Sequence, residues 1–122
     1  MNILTLEDIY SCSPVEVDRW LRNHSYTIPT SIDTPEELNR ASIIMAELVN
    51  WYAYLSSLLG SLKYLVRDAK DRKDKKLADD LIDKKEMIFL SMETANKQRE
   101  TISRMVTIKQ IANEELKSLN LL

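Results

Sequence analysis

The chain has 122 residues, a formal net charge of −2, and 44% hydrophobic against 30% charged side chains, which is one domain's length with enough apolar material for a core. One Gly and three Pro leave little punctuation for hairpins of strands, and a single cysteine, Cys12, excludes a disulfide framework and multi-cysteine zinc motifs. The lone histidine, His24, excludes two-histidine metal sites.

From Met1 to Tyr10 the chain carries Glu7 and Asp8 where a secretory leader would be basic, and no apolar run follows. The sequence therefore predicts a cytoplasmic protein. Thr5-Leu6-Glu7-Asp8 can start one short helical turn. Ser13-Pro14-Val15-Glu16 is a stronger start: a hydroxyl at the N-cap, proline at the first helical position and a carboxylate three residues after the cap. The helix it opens, over residues 14–23, would bury Val17, Trp20 and Leu21. Residues 24–33, with Pro29 inside, read as a connecting loop.

Thr34-Pro35-Glu36-Glu37 repeats the start signal, and no proline follows it. Leu38, Ala41, Met45, Leu48, Tyr52, Leu55, Leu59, Leu62, Val66 and Ala69 then recur at spacings of three and four, an a/d heptad seam. Ile44, Trp51, Leu58 and Leu65 add a second stripe at g. A face this wide calls for at least two neighbours. The longest uncharged stretch, Leu48 to Leu62, is interrupted by Asn50, Ser56, Ser57 and Ser61 and is shorter than the ~20 apolar residues of a membrane span. Gly60 falls at an outward position.

Residues 70–80 break the seam with charge. A second apolar series follows: Leu81, Ile88, Met92, Ala95, Ile102, Met105, Val106, Ala112, Leu116 and Leu119, less regular and closer to a 3.6 period. One unbroken helix over 35–119 would run about 128 Å and find no partner within the chain. A fold-back near 70–80 lets the two series bury each other and is preferred, although no Gly or Pro marks it. The expected architecture is all-α: residues 1–34 a short capped helix and loop, residues 35–122 two long helices in an antiparallel hairpin or coiled coil, within one domain. The spare stripe predicts a homo-oligomer, with Ile44, Leu48, Trp51, Leu55, Leu58, Leu62 and Leu65 at its interface.

Charge is distributed unevenly. Residues 1–62 hold three basic and eight acidic side chains, and residues 63–76 hold seven basic and three acidic. Lys63, Arg67 and Lys70 stand at i, i+4 and i+7, and Arg72, Lys73, Lys75 and Lys76 continue into the expected turn. Arg104 and Lys109, with Lys97 and Arg99, lie on the second long helix. Such cations neutralise phosphates without reading sequence. Against this, Asp68, Asp71 and Asp74 are interleaved with them, and Tyr64 is the one aromatic inside the block. Trp51 and Tyr52 read as core, while Tyr54 reads as an outward contact.

Catalytic patterns find little support. Asp79-Asp80-Leu81-Ile82-Asp83 looks like the DDxxD motif of helical prenyl-transferring enzymes, but those need a second acidic motif that is missing here. Lys75, Lys76, Lys84 and Lys85 instead stand at ion-pair spacing from these acids. Glu37, Glu47, Glu93 and Glu100 lack the paired spacing of a MazG-type pyrophosphohydrolase, and Cys12 with His24 makes a poor thiolate–base pair. The chain reads as a non-enzyme without cofactor or metal.

Arg104-Met105-Val106-Thr107-Ile108-Lys109-Gln110 resembles the R-x-aromatic-x-I-K-N signature near the C-terminus of UvsY-like recombination mediators of tailed phages. Val106 stands at the aromatic position and Gln110 at the Asn. The resemblance implies an oligomeric helical protein that binds single-stranded DNA and helps a RecA-like recombinase displace single-strand-binding protein. It would give Arg104, Ile108 and Lys109 the carried-over roles. The other reading of the residues is a protein-interaction module, an adaptor, scaffold or inhibitor of a host target protein, with no nucleic-acid partner.

Overall fold

The computed structural model describes residues 4–121. The first three residues of the Met1–Tyr10 stretch and Leu122, at the end of the 35–122 segment, lie outside the described residues. The described chain is helical with no strand: α1 (Leu6–Ser11), α2 (Pro14–Asn23), α3 (Pro35–Asp71) and α4 (Lys75–Leu121). Each of the first three starts where a hydroxyl can cap it. Ser13 and Thr34 accept the amides of Glu16 and Glu37 at 3.2 and 3.1 Å, satisfying donors that the first turn leaves open. The Glu16 and Glu37 carboxylates accept from the cap hydroxyls rather than from the cap amides. The reciprocal capping box forms at Thr5 instead, whose amide donates to Asp8 at 3.0 Å.

The long helices α3 and α4 pack against each other as the expected hairpin. The fold-back needs no glycine, because Lys73 itself takes the left-handed conformation, φ 59°. Its amide donates to the Lys70 carbonyl and that of Asp74 to the Ala69 carbonyl, at 3.0 and 2.9 Å. These two bonds are those of a Schellman closure. Asp74 then caps α4, its side chain accepting the Leu77 amide at 3.2 Å. A three-residue reversal thus carries two of the basic side chains, Arg72 and Lys73.

The core runs along α3 through Ala41, Leu48, Trp51, Leu55, Leu58, Leu59, Leu62, Val66 and Ala69. It shifts off the expected seam towards g: Tyr52 is exposed, while Trp51 and Leu58 are buried. The reason is α2, which lays Trp20 edge-on to Trp51, ring centroids 5.4 Å apart. Tyr54, expected outside, is half-buried in the same cluster, 6.2 Å from Trp51. Gly60 is exposed and a Cβ there would meet nothing within 4 Å.

On α4 the buried Leu81, Ile88, Ala95 and Ile102 recur every seven residues, a stricter repeat than the apolar series suggests. The accompanying d positions are Lys84, Ser91, Gln98 and Met105, of which three are polar. Two of them, Lys84 and Gln98, serve the backbone of the N-terminal arm. Lys84, wholly buried, donates to the Tyr10 carbonyl at 3.2 Å and pairs with Asp80 at 2.7 Å. Gln98 reaches the Tyr26 carbonyl at 3.4 Å. The described part of the arm, residues 4–34, is therefore packed into the same core as the hairpin, to which Ile9, Val17, Trp20, Leu21 and Ile32 all belong.

Candidate nucleic-acid interface

The seven residues expected at an oligomer interface are occupied within one chain. Leu48, Trp51, Leu55, Leu58 and Leu62 are buried, and Ile44 and Leu65 are half-buried against the same core. The extra stripe is covered by α2 and by α4 folding back, which is why its width did not require a second copy. A different apolar set stays open, centred on the end of α4: Ile108 (68% exposed), Ile111, Leu116 and Leu119 (66%). Residues Leu38 and Asn39 share a cleft with Lys109 and Gln110, so α4 passes the start of α3 near residue 113. Its last eight residues then project about 12 Å past the hairpin's open end.

The nine cations separate into two groups. Lys63, Arg67, Lys70, Arg72, Lys73, Lys75 and Lys76 are all exposed over the tip end of the hairpin, with Lys63 about 12 Å back from the end of α3, in a cleft with Lys85 and Glu86. The Schellman turn places them there, because α3 ends and α4 begins within the same basic block. Arg72 pairs with Asp68 at 2.9 Å, and both side chains remain more than half exposed. Among the described residues the other six tip cations have no ion pair. Tyr64 is 75% exposed and the Arg67 guanidinium lies 5.9 Å from its ring centroid. A ring exposed in this way, with an arginine over it, is chemically suited to stacking against a flat aromatic group.

Arg104 and Lys109 do not join this group. Along α4 they stand about 44 and 51 Å from Lys75, near the open end of the hairpin. Arg104 is exposed, while Lys109 is half-buried in the cleft with Asp33 and Thr34. Ile108, which lies between them in the Arg104–Gln110 match, is exposed to solvent.

Asp80 holds Lys84, and among the described residues no three His, Cys, Asp or Glu side chains converge as metal ligands. Cys12 and His24 sit at opposite ends of α2, about 15 Å apart along its axis. Burial, then Glu16, pushes the Cys12 thiol up from its ordinary value, the reverse of what a nucleophile needs. His24 donates through Nδ1 to the Trp20 carbonyl at 3.0 Å and stacks on Trp51 at 4.4 Å. Among the described residues no helix is long and apolar enough to cross a membrane.

What sequence reasoning missed was the buried Lys84, the inward Tyr54 and the polar d positions of α4. A signal existed for the last: Leu81, Ile88, Ala95 and Ile102 are spaced by seven, but polar neighbours at d concealed it. No family model matches the chain, and no curated protein or solved structure matches it either.

Proposed function

We propose that this chain is a non-enzymatic accessory of DNA recombination or replication that holds single-stranded DNA at the tip of its hairpin. The observation that carries the reading is the group of seven exposed cations at and just below one turn, six of them without an ion pair among the described residues, beside an exposed Tyr64. Phosphates supply sequence-independent affinity there, and Tyr64 with Arg67 supplies a face for a base. The likeness to UvsY-like mediators agrees in kind. It differs over place, because its Arg104 and Lys109 lie at the far end. In this reading the far end meets protein: a second copy, a recombinase or a single-strand-binding protein.

Fluorescence anisotropy with labelled single-stranded DNA across a salt series tests the reading. With about five phosphates neutralised, log K should fall against log salt with a slope of about −3 to −4. Replacing Lys70, Lys73 and Lys75 by Ala should reduce that slope by about 2, while Arg104→Ala with Lys109→Ala leaves it unchanged. Loss of binding in the second variant but not the first would move the DNA site to the open end. No binding at low salt would remove it altogether.

The exposed stripe Ile108, Ile111, Leu116 and Leu119 favours a second reading, a protein-interaction module such as an adaptor or an inhibitor of a host complex. It predicts nuclease-insensitive capture of a protein partner, abolished by Ile111→Glu with Leu116→Glu, in a chain that does not bind DNA.

A further inference from the structure

Two apolar recesses lie open towards opposite ends of α4, and the charges around them are opposite. On the tip side a cleft of about 420 Å³ opens between Leu59 and Lys63 of α3 and Lys85, Glu86, Phe89 and Leu90 of α4. Phe89 and Leu90 are 43% and 62% exposed there. Lysine stems are apolar, so Lys63 and Lys85 extend the cleft wall and hold their charges at its rim. At the open end, Ile111, Glu114, Glu115, Ser118 and Leu119 line a hollow with two acids and no cation. Spacings of three, four and seven put Ile111, Glu114, Glu115 and Ser118 on one face of the helix. Among the described residues none of Lys63, Lys85, Glu86, Glu114 and Glu115 has an ion pair.

We propose that the acidic end of α4 in one copy docks into the basic cleft of another, so that the chain assembles head to tail. Ile111 and Leu119 cover Phe89 and Leu90, while Glu114 and Glu115 meet Lys63 and Lys85. Opposite charge around two apolar surfaces both selects this pairing and orients it. Pairing two α4 ends with each other would instead set acids against acids. Glu86 opposes the docked carboxylates, but the two cations of the cleft outnumber it, and Arg67 and Lys70 continue the positive side of α3. One chain cannot make the contact with itself, because Phe89 and Glu115 are held about 39 Å apart along a single helix. Since the two surfaces differ, each docking leaves one cleft and one end free, and growth stops only where the rotation closes a ring. Surfaces of five and six residues are far smaller than the roughly 20–30 residues a side of a standard interface. The contact is therefore weak, with an expected Kd on the order of 10–100 µM. This inference names one of the partners the proposed function allows at the open end and rests on that part of it, not on DNA binding.

Sedimentation equilibrium of the full-length protein, free of nucleic acid and spanning about 5–500 µM, tests the contact. The average mass should climb past that of a dimer as concentration rises. Lys63→Glu with Lys85→Glu reverses the charge of the cleft, and Glu114→Lys with Glu115→Lys reverses that of the α4 end. Each double variant alone should associate at least about tenfold more weakly. An equimolar mixture of the two should recover the wild-type behaviour, because every cleft then finds an end of opposite charge. The four side chains are exposed or half-buried, and circular dichroism checks that helix content and melting are kept. A mass that stays monomeric at the highest concentration overturns the proposal. So does association that stops at a dimer and ignores the cleft variant, which would mean that two α4 ends pair symmetrically. A mixture that associates no better than its separate components overturns it as well. Any of these failures leaves the DNA reading standing, since the anisotropy titration of the wild-type protein is independent of them.

Discussion

Lys84 is the clearest case of a residue whose identity does not announce its role. A lysine on a charged stretch of helix reads as a solvated side chain, yet here its stem fills the core and its ammonium joins the Tyr10 carbonyl to the Asp80 carboxylate. Tyr10 lies in the last turn of α1, where carbonyls lack helical partners and a cation is favoured. The desolvation of the ammonium is offset by two short contacts, and by an Asp80 side chain that keeps about a third of its surface in water. Lys84→Ala removes the stem, leaves a void and abandons the carbonyl, so urea unfolding should show a loss of about 3–4 kcal/mol. Lys84→Met keeps the stem, and Asp80 can rehydrate, so the expected loss is about 1–2 kcal/mol. Equal losses would mean that the charge and not the packing carries the site.

At the scale of elements, two helices differ in how openly they declare themselves. The seam of α3 is legible because apolar residues fill both a and d, whereas α4 has polar residues at three successive d positions, Lys84, Ser91 and Gln98. Its Lys84 and Gln98 at d answer carbonyls of the N-terminal arm, a demand that exists only once that arm has docked. The turn between them was also concealed, since a helix usually ends on glycine in the left-handed conformation. Lys73 adopts that conformation at a cost of about 1–2 kcal/mol. Lys73→Gly should therefore raise stability by about 1 kcal/mol in thermal or urea unfolding. It also removes one tip cation, so the slope of DNA binding against salt should fall by about 0.7 in the same protein.

For the whole molecule, the N-terminal arm decides what the long hairpin can expose. Five of its residues, Ile9, Val17, Trp20, Leu21 and Ile32, are buried in the common core. Their loss is comparable with the whole net stability of a small domain, about 5–15 kcal/mol. A chain lacking residues 1–34 should lose cooperative unfolding, bind a hydrophobic dye and self-associate through Trp51, Tyr54 and Leu58, as calorimetry and light scattering would record. Helix content, the caps at Ser13 and Thr34 and the basic block were determined by the sequence alone, because each rests on neighbours within a few residues; the reversal near 70–80 was legible only through the need of two apolar series to bury each other. The tip cations of the candidate site were legible for that reason, and so was their number. That Arg104 and Lys109 stand apart from them, that the wide face of α3 is consumed within one chain, and that Leu59 and Lys63 share a cleft with Lys85 and Phe89 was decided by tertiary structure. Those outcomes depend on which segments pack together across dozens of residues, and burial and backbone demand at such a site come into being only when the pieces dock.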